Sequence, residues 1–253
     1  MASEATALLQ TPREERRALR AFLRLAGYVA ITMGHVVSLL VSRAVRGVSP
    51  SCGNRVLMNW ARSINRAMGL RVSCLGDHPP GGALLVSNHR SYIDITAIAT
   101  HLPVTFLAKE EVSRWPVLGY GCGLVNVVFV DRDSPASRRR AREEVGDRLR
   151  RGLSIVVFPE GTSSRGPGLL DFRPGTFRLS AESGFPVVPV SIEYEKPEDA
   201  WVGDDTFLPH FIRTFSRREV RVTVSFGPVM RDDDPERLMR LAWSWIDESL
   251  AGR

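Results

Sequence analysis

Seven short apolar runs between Leu70 and Phe226 constrain the fold of this chain more than any other feature. They are Leu70–Leu75, Ala83–Ser87, Val104–Ala108, Val127–Val130, Ser154–Phe158, Val187–Tyr194 and Val220–Phe226, and several are unbroken stretches of Val, Ile and Leu. A strand with one wet face alternates apolar and polar residues, whereas an unbroken run fits a strand covered on both faces. Helix-length segments lie between the runs at Tyr92–His101, Ala136–Gly152, Thr176–Ser183 and Pro235–Leu250, the last with Asp234 as its cap and Pro235 at its first position. Strands alternating with helices predict an α/β fold, a largely parallel or mixed sheet flanked by helices. Glu195–Phe215 reads as an irregular, aromatic-bearing connection. With 253 residues, 43% of them hydrophobic, the chain has enough material for one well-packed core.

Charge is distributed unevenly ahead of this region. The net charge is +6, and residues 1–69 alone hold ten arginines against three glutamates. Leu25–Ser42 is free of formal charge and is flanked by Arg13, Arg16, Arg17, Arg20 and Arg24 on one side and Arg43 and Arg46 on the other. Its length is at the lower end of the roughly 17–25 residues that span a bilayer. A monotopic or half-inserted helix is the favoured reading, with a spanning helix and an internal core helix as alternatives. The segment begins too far from Met1 for a cleaved signal peptide. Gly47-Val48-Ser49-Pro50 breaks the helix, and Leu57, Trp60, Ala61, Ile64 and Met68 recur at helical spacing through a second one, whose stripe could equally be ordinary core. Residues 1–69 therefore read as a basic arm with a membrane-associating helical hairpin, and 70–253 as the α/β domain. The expected partner is an anionic membrane surface, at the cytoplasmic face of the cell membrane. Arginines that flank an apolar stretch, with no base-reading motif, predict no nucleic-acid partner.

Cysteines at 52, 74 and 122 form no CxxC pair and leave one unpaired in any disulfide scheme, which fits a reducing compartment. HExxH, zinc-spaced Cys/His clusters, GxSxG and GxxxxGK[ST] are all absent from the sequence, so no metal site, nucleophile elbow or phosphate loop is expected.

Ligands of open α/β sheets sit beyond the carboxyl ends of strands. Two such places carry chemistry. In Ser87-Asn88-His89-Arg90-Ser91-Tyr92-Ile93-Asp94 a histidine precedes a carboxylate by five residues across a strand-to-helix turn. Asp94 in the first helical turn can meet His89, hold one imidazole tautomer and stabilise the imidazolium, leaving the other ring nitrogen to deprotonate a hydroxyl. The plainer reading is that Asn88 caps a helix and His89 makes a surface contact. In Phe158-Pro159-Glu160-Gly161-Thr162-Ser163-Ser164-Arg165-Gly166 small residues let amides converge on an anion and Arg165 adds a forked donor, although the same residues form ordinary turns. Cys122 or a serine as covalent nucleophile is the rival chemistry, without an activated elbow to support it.

Taken in order, these segments resemble the glycerolipid acyltransferase family typified by 1-acylglycerol-3-phosphate O-acyltransferase, across roughly residues 55 to 230. NHRSYID is similar to the family's NHxxxxD motif, FLAKEEVSRWPVLGYG with VVFVDR to its second block, FPEGT to its third and VPVSI to its fourth. The resemblance implies His89 as general base and Asp94 as its orienting partner. It places Lys109, Arg132, Glu160, Gly161 and Thr162 toward the acceptor, with Arg165 and Arg173 as further cations. It implies a lyso-phospholipid acceptor and an acyl thioester donor, acyl-CoA or acyl carrier protein, without resident cofactor or metal. Many phosphate-reading members carry arginine directly after the EGT threonine. Here Ser163 and Ser164 intervene before Arg165, which keeps a lyso-aminolipid open as the alternative acceptor. A catalytically silent membrane-binding module is the reading from another class. The arginine-rich Ser137–Arg151 stretch is either a solvated face or a dock for acidic acyl carrier protein.

Overall fold

A computed structural model describes residues 12–46, 50–115 and 118–252. Two helices, α1 (Pro12–Arg46) and α2 (Pro50–Met68), precede the sheet. Then follow β1 (Leu70–Leu75), β2 (Leu84–Ser87), α3 (Ile93–Ala99), β3 (Val104–Lys109), α4 (Leu118–Leu124), β4 (Val128–Val130), α5 (Pro135–Arg150), β5 (Ser154–Val157), α6 (Gly175–Ser183), β6 (Val187–Tyr194), α7 (Phe207–Phe215), β7 (Val220–Phe226) and α8 (Pro235–Ala251). All seven strands lie within a residue or so of the apolar runs. The break assigned to Gly47-Val48-Ser49-Pro50 falls mostly outside the described residues.

The strands form one sheet in the order β1-β7-β6-β2-β5-β3-β4. Every pairing is parallel except β6 with β7, which is antiparallel. The carboxyl ends of β2 to β6 therefore share one rim of the sheet, and β7 begins on that same rim. Alternation along each strand sends side chains into two cores. Leu85, Val156, Val188, Val190 and Ile192 join α2, α3 and α7 on one face. Leu84, Val86, Ile155, Val157 and Val187 join α5, α6 and α8 on the other. Helices on both faces explain why the central strands lack polar alternation.

Helix ends follow local chemistry. Asp234 accepts from the amides of Glu236 and Arg237 ahead of Pro235, and Ser134 caps α5 through the Ser137 amide ahead of Pro135. Two helices depart from expectation. Phe207–Phe215, read as an irregular connection, is α7, with His210, Phe211, Thr214 and Phe215 buried and Leu208 and Ile212 exposed. Its sequence FLPHFIRTF is only nine residues long, too short for a helical period to be counted, and carries a proline at its third position. α4, LGYGCGL, is masked by its glycines.

All five residues of the α2 stripe are buried in the first core beside the sheet. α1 behaves differently. Ala21, Thr32 and Leu39 face inward, while Leu19, Phe22, Leu23, Val29, Met33, Val37, Val41 and Val45 stand exposed along the opposite side. α1 is long and apolar enough to cross a membrane by length and composition. Arg20 and Arg24, grouped by sequence with the basic flank, instead bind the end of α7. Arg24 donates to the carbonyls of Phe215 at 3.0 Å, Arg217 at 2.6 Å and Arg218 at 2.7 Å, and Arg20 to that of Ser216 at 2.8 Å. A cation there satisfies carbonyls that a helix end leaves open and complements its dipole. Gly69 has φ +70°, and a Cβ on it would lie 2.1 Å from the Arg24 guanidinium, so glycine permits this grip.

Candidate active site

β2 delivers Asn88 and His89 to the rim. The Asn88 amide donates to the Ile192 carbonyl at 2.8 Å while its oxygen accepts from the Ile192 amide at 2.7 Å, extending the β2–β6 ladder by a side chain. Asn88 thus fastens the turn to β6 and caps no helix.

Asp94, fully buried at the start of α3, is the hub. Its Oδ2 accepts from His89 Nδ1 at 2.8 Å, from the Arg90 amide at 2.7 Å and from the Ser91 amide at 2.9 Å. Its Oδ1 accepts from the Tyr194 hydroxyl at 2.6 Å. Four donors satisfy both oxygens of a carboxylate that would otherwise be buried without partners. Tyr194 is itself buried, and desolvation together with the Asp94 charge raises its phenol well above the ordinary value, so it remains a donor. A carboxylate only accepts, so His89 Nδ1 carries its proton and Nε2 is left to take another. The imidazole stacks on Phe158 at 4.1 Å between ring centres and keeps 24% of its side chain accessible.

Glu160 holds the main chain of the same histidine. Its Oε1 accepts from the His89 amide at 2.9 Å, and its Oε2 accepts from the Ser164 hydroxyl at 3.3 Å and the Leu170 amide at 3.4 Å. The Ser164 amide returns a bond to the His89 carbonyl at 2.9 Å. Burial pushes the Glu160 carboxyl above its usual range, opposed by the His89 amide and the nearby Arg90 charge. Glu160 is therefore 5% exposed and turned inward, positioning His89 from behind. Arg90, which carried no signal in the sequence, is also buried and donates to Ser164, Pro167 and Gly168, clamping the loop after the FPEGT turn. Its own carbonyl accepts from the Trp201 amide at 2.8 Å.

Gly161 lies between two arginines. Arg132, which follows β4, donates to its carbonyl. A Cβ on Gly161, whose φ is +78°, would stand 2.8 Å from the Arg173 guanidinium. Desolvation and the neighbouring positive charge of Arg173 lower the Arg132 guanidinium below its ordinary value. Two cations converging this way favour an anion between them. Arg165 and Thr162 are exposed on the loop. Lys109, also exposed, pairs with Glu111 at 2.7 Å. Cys122 is a poor nucleophile here, because burial pushes its thiol up to about 11.

A partly accessible imidazole backed by a buried, fully bonded carboxylate, on the rim where ligands of α/β sheets bind, has the geometry to accept a proton from a bound hydroxyl. A family model described as Acyltransferase matches residues 70–193, which include His89, Asp94, Arg132 and Glu160 and end one residue before Tyr194. The 1-acyl-sn-glycerol-3-phosphate acyltransferase of Neisseria meningitidis is 31% identical over 194 residues, covering 73% of this chain and 75% of that protein. The lyso-ornithine lipid O-acyltransferase of Pseudomonas aeruginosa is 31% identical over 197 residues, covering 75% and 76%. The crystal structure of the 1-acyl-sn-glycerophosphate acyltransferase PlsC from Thermotoga maritima shares the fold, with a TM-score of 0.71 at 20% identity over 95% of this chain and 97% of that one. The chain belongs to the acyltransferase family, and it is an enzyme.

Proposed function

We propose that this enzyme moves a fatty acyl chain from an acyl thioester, acyl-CoA or acyl carrier protein, to the free hydroxyl of a lyso-lipid, with His89 as general base. The observation that carries this reading is the 2.8 Å bond from His89 Nδ1 to the buried Asp94 carboxylate. The acceptor hydroxyl gives its proton to His89 Nε2 as its oxygen bonds to the thioester carbonyl carbon. The tetrahedral centre then collapses, the carbon–sulfur bond breaks, and the leaving thiolate takes the proton back from the imidazolium. Asp94 keeps the ring in register and stabilises its cation without itself being protonated. No resident cofactor enters these steps.

The leading acceptor is 1-acylglycerol-3-phosphate, giving phosphatidate. Arg132 and Arg173 on either side of Gly161 offer forked donors to a phosphomonoester, and Lys109 and Arg165 contribute charge at greater exposure. A lyso-aminolipid is the second reading. It is favoured by Ser163 at the position after the EGT threonine, whose hydroxyl is turned to the Trp201 carbonyl and away from any ligand, and by relatives named for lyso-ornithine lipid. The enzyme is membrane-associated, seated by the exposed apolar side of α1 on the cytoplasmic face. Incubating purified protein with one acyl thioester and a panel of lyso-lipids, with and without a phosphomonoester, tests both reaction and acceptor. Transfer to no acceptor would overturn the reading. Clear preference for a phosphate-free acceptor would replace the leading substrate by the second.

A further inference from the structure

His89 has a third contact, on the face of its ring, that neither Asp94 nor Glu160 supplies. Phe158 is the residue after β5, and the proline that follows it keeps the backbone extended for one more step. Alternation therefore sends its ring to the same face of the sheet as Val156, against the first core. There it lies between His89, beyond the end of β2, and Phe106 of β3, the strands on either side of β5. Its plane is 19° from the imidazole at 4.1 Å between centres and 17° from Phe106 at 6.3 Å. A stack of near-parallel rings thus crosses three neighbouring strands. We propose that Phe158 is a positioning residue whose face sets the plane of the His89 ring and stabilises the imidazolium formed during transfer. The assignment rests on His89 acting as the general base of the proposed function.

Three arguments carry it. The first is a constraint still to be supplied. Glu160 holds His89 through its main-chain amide, and Asp94 holds it through Nδ1. An imidazole fixed at Cβ and at one nitrogen can still tilt about the line joining those points, and the tilt sweeps Nε2 through an arc. A wall against the ring face stops that motion, and a displacement of about 1 Å at reacting atoms costs about a hundredfold in rate. The second is backing. Phe106 is 3% exposed, so the ring behind Phe158 is itself fixed in the core and Phe158 does not give way. The third is charge. The face of a phenyl ring is electron-rich, which favours a cation stacked upon it over the neutral ring. Asp94 meets the imidazolium at its edge and Phe158 meets it on its face, so the two act from perpendicular directions. A leucine or valine would fill space there without providing a flat wall or an electron-rich face.

The test replaces Phe158 in the full chain by phenylalanines of increasing ring fluorination, up to pentafluorophenylalanine, which withdraw electron density from the face and change its size little. The kcat should fall stepwise along the series, by roughly threefold to thirtyfold at its end, with the KM for thioester and for acceptor near wild type. Phe158→Leu, which also removes the flat wall, should lose roughly tenfold to a hundredfold in kcat. Circular dichroism checks that each variant is folded. A kcat indifferent to fluorination overturns the inference. So does a rise in either KM at unchanged kcat, which would make Phe158 a substrate contact. A wild-type protein that transfers from no thioester overturns the proposed function instead. The wall can then be tested without turnover. Diethyl pyrocarbonate should modify His89 about threefold faster, or more, in Phe158→Leu than in the wild type, read by mass spectrometry against the exposed His78. Equal rates at His89 in the two proteins would refute the wall.

Discussion

Tyr194 donates to Asp94 Oδ1 at 2.6 Å, on the opposite oxygen from the one that accepts from His89. β6, the strand that carries the fourth sequence block, is thereby tied to the first block through one buried hydrogen bond. Hydrogen bonds to charged groups are worth about 1.5–3 kcal/mol. Tyr194→Phe should lower kcat roughly tenfold to hundredfold while leaving both Michaelis constants near wild type. A rise in KM with unchanged kcat would assign Tyr194 to substrate binding instead.

His89→Ala should reduce transfer by about 10²–10⁴ or more, with Asp94→Asn retaining a small residue of activity. Steady-state rates on protein of unchanged circular dichroism provide the check. Near-normal turnover by folded His89→Ala would remove the general base from the mechanism.

Arg132→Lys keeps the charge but loses the fork. With a phosphomonoester acceptor it should raise the acceptor KM more than it changes thioester use, and Arg132→Ala should do so severely. Competition between lysophosphatidate and a phosphate-free lyso-lipid reads the effect directly. Indifference of both acceptors to Arg132→Ala would take Arg132 out of the site.

Phe22 and Val37 are 67% and 52% exposed on α1. Phe22→Glu with Val37→Glu should weaken sedimentation with phosphatidylglycerol vesicles more than tenfold, since each charge costs on the order of 1–3 kcal/mol in an apolar layer. Thermal stability should not change, because neither side chain is packed. Deleting residues 1–69 would instead strip Leu57, Trp60, Ala61, Ile64 and Met68 from the core. Undiminished sedimentation of the double variant would place the lipid contact elsewhere.

His210 joins α7 to the catalytic turn. Its Nε2 lies 3.2 Å from the Asp199 carbonyl, which only accepts, so the neutral ring carries its proton there and Nδ1 accepts from the Tyr92 hydroxyl at 3.1 Å. Burial, then the Arg213 charge, lowers the imidazole below its ordinary value near 6.5. A lowered folded-state value means that the unfolded chain binds the proton first. The contribution of His210 is complete above 6.5 and is lost as pH falls below it. Urea midpoints of the wild type should therefore drop between pH 7.5 and pH 5.5, and His210→Gln should narrow that drop. An identical drop in the variant would show that other groups set the acid sensitivity.

Strand positions were legible because a buried parallel strand must be apolar throughout, and His89 with Asp94 because five residues across one turn bring them together. The partners that make the pair work were not. Tyr194 is 100 residues from Asp94, and Glu160 is 71 from His89. Only strand order makes them neighbours, and strand order is not written in any local pattern. Glu160 and Gly161 were placed toward the acceptor by resemblance, whereas the packing turns Glu160 onto the His89 main chain and leaves Gly161 as the gap through which Arg132 and Arg173 approach. Arg24 carried a misleading signal, since an arginine beside an apolar stretch reads as a head-group contact until the end of α7 is found beside it.

The grip of Arg20 and Arg24 on the end of α7 ties the first helix to the helical layer that packs beside the His89 turn. If α1 lies in the bilayer surface, His89 rides at a set height above the lipid tails and cannot dip toward them. The single-chain lipid must then rise to the imidazole, withdrawing methylenes from the hydrocarbon at about 0.8 kcal/mol each. A two-chain product is held by twice the hydrocarbon, so the height of the site by itself favours its return to the bilayer and gives the reaction a physical direction of traffic.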